Sequence, residues 1–184
     1  MDRRRRTRIR KTTMMLWYAA ETRYCGKVLK FINKGAIVNY KFGTQERTLL
    51  HRAAWNGDVR IAHMLLCEGA NINSKDKCRY TPLHVAAKKG NHDVVEMLLD
   101  HEAKVDSKDS LQKTPLHLAV RNDREDIVRL LLERGADIHT KDFRGKTLLE
   151  YAVQAGNADI VDLILETLYS EESELVSQLT ETSL

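Results

Sequence analysis

The chain has 184 residues, 42% of them hydrophobic and 30% charged, with a formal net charge of +4. That content suffices for one domain with a continuous core, and the absence of any run of about 18 apolar residues excludes a transmembrane helix. Two Pro and nine Gly leave little room for a long linker, and three cysteines without a CxxC pair fit free thiols in a reducing compartment better than a disulfide framework.

The net charge hides a segregation between the ends. Met1 to Thr13 carries seven basic residues against Asp2, whereas Glu166 to Leu184 carries five glutamates and no basic residue. The run Arg3-Arg4-Arg5-Arg6-Thr7-Arg8-Ile9-Arg10-Lys11 meets the loose definition of a nuclear-import or nucleic-acid patch. It equally suits a solvated arm or one attracted to anionic membranes. Residues 1–13 are expected to be a disordered basic arm. Behind them, Met14 to Ala20 imitates the apolar part of a signal peptide, but it is only seven residues long and continues in register into the repeated pattern that follows.

From residue 48 a seven-residue phrase recurs every 33 residues: Thr48-Leu49-Leu50-His51-Arg52-Ala53-Ala54, then phrases opening at Thr81, Thr114 and Thr147. A fixed period of this length is the mark of one supersecondary unit stacked on copies of itself. Between phrases, Val94-Val95 with Leu98-Leu99, Ile127-Val128 with Leu131-Leu132, and Ile160-Val161 with Ile164-Leu165 keep helical spacing, so each unit holds two helices. The first opens at the Thr, a capping residue, with Pro82 and Pro115 just inside, where a missing N–H costs little. The second closes at Gly69-Ala70, Glu102-Ala103 and Gly135-Ala136, ahead of polar turns ending in Asp76, Asp109 and Asp142.

Residues 81 to 103 and 114 to 136 closely resemble the ankyrin repeat signature, Thr-Pro-Leu-His-x-Ala-Ala, a Gly, then Val-Val-x-x-Leu-Leu-x-x-Gly-Ala. A worn first copy begins at Leu16-Trp17-Tyr18-Ala19-Ala20. The resemblance implies an all-α helix–turn–helix solenoid with β-turn loops. Five repeats are expected over residues 14–168 (14–42, 43–75, 76–108, 109–141 and 142–168), followed by an acidic tail at 169–184. Glu102 and Asp123 stand where Gly is usual, so strain is expected at both. Leu148 and Glu150 in the last repeat, and Met14, Met15 and Trp17 in the first, depart from the signature as capping repeats do.

Three tempting motifs dissolve in this register. His51, His84 and His117 fall one helix-packing distance apart, roughly 8 to 10 Å, too far to share a zinc ion with bonds of about 2 Å. Each is expected to tie its own helix start to the adjoining loop. Gly145-Lys146-Thr147 imitates the end of a phosphate loop, but position 140 is Thr140 and no buried strand precedes it. Asp76, Asp109 and Asp142 recur as turn residues. No catalytic residue, metal ligand or cofactor site is expected.

The ankyrin resemblance implies recognition by loop tips and the exposed side of the first helices. Carried over by repeat position, the candidate partner-binding residues are Arg47, Trp55, Asn56, Lys77, Tyr80, Lys88, Lys89, Lys113, Arg121, Asn122, Phe143, Arg144 and Lys146. Thr44, Gln45, Cys78, Ser110, Leu111 and Gln154 share those positions. This set holds no carboxylate, whereas Asp93, Glu96, Asp100, Glu125, Asp126, Asp159 and Asp162 fall on second helices. A basic face studded with aromatics favours an acidic partner with apolar anchors; lysines serving only solubility are the bland alternative. Cys67 is expected partly buried and Cys78 exposed.

At the far end, Glu171 to Leu179 could form a short extra helix over the last repeat. Glu181-Thr182-Ser183-Leu184 resembles a ligand of PDZ domains, with Thr182 and Leu184 as the recognised residues. The chain therefore reads as a monomeric, non-catalytic protein-interaction module, an adaptor, scaffold or regulator in cytoplasm or nucleus. The alternative is a nuclear or nucleic-acid-associated factor acting through Arg3, Arg4, Arg5, Arg6, Arg8, Arg10 and Lys11.

Overall fold

The computed structural model describes the backbone of residues 3 to 22 and 24 to 181, and side chains at 7, 9 to 22 and 24 to 173. Ten helices run in five pairs among these residues: α1 (Arg3–Glu21) and α2 (Cys25–Asn33), α3 (Leu49–Asn56) and α4 (Val59–Cys67), α5 (Pro82–Lys89) and α6 (His92–Asp100), α7 (Pro115–Arg121) and α8 (Glu125–Glu133), α9 (Leu148–Ala155) and α10 (Ala158–Glu181). The described residues contain no strand, only isolated bridges at Phe42 with Arg47 and Lys141 with Thr147.

Helices of seven to nine residues, such as α3 to α9, are too short to hold alone in water. Packing supplies what propensity cannot. First helices contact first helices, second helices contact second helices, and each pair packs within itself. The register of burial follows the 33-residue period: Ile61, Val94, Ile127 and Ile160, then Leu65, Leu98, Leu131 and Ile164, are all at most 1% exposed. Each such side chain contributes about 1.5 to 3 kcal/mol. Ala53, Ala86, Ala119 and Ala152 are equally buried, and their small size lets adjoining helices approach closely.

Caps punctuate the pairs. Thr48, Thr81, Thr114 and Thr147 each form a capping box with the residue three positions on, which is His51, His84, His117 or Glu150. Loop tips are knitted into a row by one hydrogen bond per repeat: the N–H of Lys77 to Gln45 O, Ser110 to Cys78 O and Phe143 to Leu111 O, at 2.9, 3.0 and 3.0 Å. That row holds the residues between the loops and first helices in fixed spacing.

Glu102 and Asp123 adopt the left-handed conformation, φ 62° and 58°, as their Gly-like positions require. The loops add Glu46, Arg79 and Gln112, at φ 54°, 64° and 59°, one repeat apart, a strain visible only from the last repeat's Gly145 at φ 77°.

Both ends differ from expectation. The basic segment does not stop at residue 13, because α1 continues unbroken from Arg3 into the first repeat. Arg and Lys are good helix formers and extend a helix already anchored by packing. Thr13 is 1% exposed and accepts the N–H of Ile37 at 3.1 Å, so the expected boundary falls inside a packed helix. Likewise α10 runs through the expected boundary at 168, with no Gly or Pro to break it, and no separate helix begins at Glu171. Thr182 and Leu184 lie outside the described residues, as do the side chains of Arg3, Arg4, Arg5, Arg6 and Arg8.

Candidate protein-recognition face

Two of the three recurring histidines, His51 and His84, connect neighbouring repeats as expected, and His117 does not. The backbone N–H of Thr81 donates to His84 Nδ1 at 3.2 Å, which makes that nitrogen an acceptor and places the proton on Nε2, 3.1 Å from the Lys113 carbonyl. His51 repeats the arrangement, with Thr48 at 3.2 Å and the Tyr80 carbonyl at 2.8 Å. Each imidazole thus fastens its helix start to the next repeat's loop. Burial holds His51 below its ordinary pKa and brings His84 and His117 down to about 4. His117 keeps the Thr114 contact, but its Nε2 has no hydrogen-bond partner among the described residues and the ring meets Tyr151 edge-on, centroids 5.6 Å apart. Among the described residues no group of three His, Cys, Asp or Glu is placed to hold a metal ion.

The turn aspartates are also accounted for. Asp76, Asp109 and Asp142 each accept two backbone N–H groups two and four residues on, at 2.7 to 2.9 Å. The second oxygen of Asp76 takes Arg47 Nε at 3.2 Å, and that of Asp142 takes the Tyr151 hydroxyl at 2.8 Å. Burial opposes the charge of Asp142, yet the Lys146 N–H, the Tyr151 hydroxyl and the Arg144 N–H together hold its carboxyl below the usual range.

On this framework cations and aromatic rings alternate. The Trp55 ring, half-buried near the end of α3, has Lys89 Nζ 3.7 Å and the Arg47 guanidinium 5.5 Å from its centroid. Lys88 stands 5.9 Å from Tyr80, Lys146 and Lys113 stand 4.2 and 5.0 Å from Tyr151, and Arg144 stands 5.2 Å from Phe143. Such contacts are each worth about 0.5 to 2 kcal/mol.

Two cavities open along this face. One, about 700 Å³, is lined by Trp17, Tyr18, Tyr40, Phe42, Arg47, Arg52 and Trp55, among others. The other, about 620 Å³, brings together Lys113, Arg121, Phe143, Arg144 and Lys146 with Asp142 and Tyr151. Asn56, Lys77, Tyr80, Lys88, Lys89 and Asn122 line neither; Asn122 closes α7 by donating to Leu118 O at 2.7 Å. Lys113 is not the surface residue its repeat position implies, being 7% exposed. Cys78 is exposed, and so is Cys67, which falls off the stripe of Ile61, Ala62 and Leu65 that α4 buries. The aromatics Trp17, Tyr40 and Phe42 escaped the sequence reading because the first repeat departs most from the signature; Tyr151 escaped because its repeat position holds Arg52, Val85 and Leu118 elsewhere.

Stacked short helix pairs, with their recurring polar residues consumed in caps and turns and a ridged face left open, define a helical-repeat recognition domain. The sequence pattern of ankyrin repeats (3 copies) matches residues 3–76 and 50–142, and the chain belongs to the ankyrin repeat family. Ankyrin repeats are in general protein-binding modules and typically non-catalytic. A search of curated proteins finds no individual match. No described helix is long and apolar enough to cross a membrane.

Proposed function

We propose that this chain is a non-catalytic adaptor or regulator that holds an acidic protein partner against its cation-and-aromatic face. One observation carries this reading. Lys88, Lys89, Lys113, Arg121, Arg144 and Lys146 form no ion pair with a carboxylate among the described residues, although Arg47 on the same face pairs with Asp76 at 3.2 Å; on α8 and at its end, by contrast, Arg129 pairs with Glu125 at 3.1 Å and Arg134 with Asp100 at 2.7 Å and Glu96 at 3.6 Å. Uncompensated charge on one face steers an oppositely charged partner, and the half-buried Trp55 and Tyr80 supply anchors of the kind that dominate interface energies.

The test is affinity capture of a partner followed by titration with the wild type and a Trp55→Ala, Lys88→Ala, Lys89→Ala variant. Loss of at least about tenfold in affinity, about 1.4 kcal/mol, together with a shallower salt dependence, is expected. Unchanged affinity with an intact fold overturns the assignment of this face.

A further inference from the structure

The cavity between the third and fourth loops and α9 has a chemistry of its own. Four cations, Lys113, Arg121, Arg144 and Lys146, converge there with one carboxylate, Asp142. Asp142 is already engaged, one oxygen by the N–H groups of Arg144 and Lys146 and the other by the Tyr151 hydroxyl. Lys113 is the decisive residue. It is more than nine-tenths buried, it lines the cavity, and its ammonium, 5.0 Å from the Tyr151 ring, forms no hydrogen bond or ion pair among the described residues and meets Asp142 only through longer-range attraction. Asp142 is the one carboxylate that offsets the four cations of the cavity, and Lys146, 4.2 Å from the same ring, adds like-charge repulsion to Lys113.

We infer that this basin binds the phosphoryl group of a phosphorylated serine or threonine in a partner peptide, an inference that rests on the protein-binding reading above. A carboxylate would neutralise one of the four cations. A phosphoryl group at pH 7 carries about 1.5 to 2 negative charges and three acceptor oxygens, and Arg guanidinium forks engage two of them at once. The lip favours a peptide over a free anion: Phe143 and Leu111, 54% and 42% exposed, border the cavity where residues flanking the phosphorylated one would lie.

The experiment uses the full chain and three fluorescein-labelled degenerate peptide libraries with a fixed central phosphoserine, glutamate or serine, read by fluorescence anisotropy. The phosphoserine library should bind at least about tenfold more tightly than either other. An R121Q, R144Q variant should lose that advantage, whereas K34Q, K104Q, which removes the same charge at exposed positions outside the basin, should keep it. Arg144→Gln alone, on the loop tip, should give an intermediate loss and serves if the double variant melts early. Equal binding of the glutamate and phosphoserine libraries overturns the phosphoryl inference while leaving the acidic-partner reading standing. Equal losses in basin and control variants overturn it as well. Preference for phosphoinositide vesicles over every library assigns the basin to a membrane surface and overturns the peptide ligand.

Discussion

The imidazole of His84 bridges two repeats, its Nδ1 accepting from the N–H of Thr81 at 3.2 Å and its Nε2 donating to the carbonyl of Lys113 at 3.1 Å. One neutral ring therefore caps a helix and fastens the next loop. The acceptor role of Nδ1 is lost if the ring gains a proton. In the folded chain His84 and His117 resist protonation down to about 4, because burial penalises the charged form; unfolded, they protonate near 6.5. Between those values the unfolded state binds more protons, so stability rises with pH there. Each histidine contributes a slope of about 1.4 kcal/mol per pH unit. Urea unfolding midpoints should hold constant for these groups above pH 7 and fall steadily from about pH 6.5 to 4. A flat profile across that window would contradict the neutral buried imidazoles.

The orphan Nε2 of His117 makes a matched pair of variants informative. His84→Ala strands the Thr81 N–H and the Lys113 carbonyl, whereas His117→Ala removes a ring whose outer nitrogen already lacks a hydrogen-bond partner among the described residues. Both lose comparable packing, since both rings are fully buried. His84→Ala should cost more than His117→Ala by about 1 kcal/mol, the worth of one hydrogen bond. Chemical denaturation of the two variants checks the order.

Left-handed positions give a graded series. Glu102 sits at φ 62° where Gly35, Gly69 and Gly135 follow α2, α4 and α8, so Glu102→Gly should stabilise by about 0.5 to 1 kcal/mol. Gly135→Ala should cost about 1 kcal/mol, from backbone strain alone, because an added Cβ meets nothing within 4 Å. Gly57→Ala should cost more: its Cβ would lie 2.9 Å from Asn91 Oδ1, and Asn91 ties the repeats by donating to Ala54 O at 2.7 Å. Thermal melts should rank Glu102→Gly, wild type, Gly135→Ala and Gly57→Ala from highest to lowest.

The sequence made the helix pairs legible because Thr, Ala, Leu and Gly recur at positions that local physics dictates: caps, close contacts, core and left-handed turns. Strain at Glu102 and Asp123 was readable for the same reason. What the register could not show was partnership across repeats. The His51 acceptor is a backbone carbonyl of another repeat, which leaves no side-chain signature. Burial of Lys113 depends on Tyr151, at a position where the neighbouring repeats carry Val85 and Leu118. The continuation of α1 into the arginine run escaped for a different reason: a polar, charge-rich segment carries no apolar stripe, although Arg and Lys extend an anchored helix readily.

Tyr151 joins the core to the candidate face, and its hydroxyl provides a spectroscopic handle. Burial, then the hydrogen bond to Asp142 and that carboxylate's charge, push its phenol up to about 12. Tyr80 is raised too, chiefly by burial. In an ultraviolet titration of the six tyrosines, Tyr151 should therefore remain protonated at pH 11, and Tyr151→Phe should remove the highest-pH step without altering the lower ones. The substitution keeps the ring under Lys113 and Lys146 but leaves one Asp142 oxygen, in a buried residue, without its donor. The expected cost is about 1 to 3 kcal/mol, measured by urea unfolding at pH 7. A cost near zero would mean that water replaces the phenol at Asp142, and that the hydroxyl does not hold the carboxylate in place.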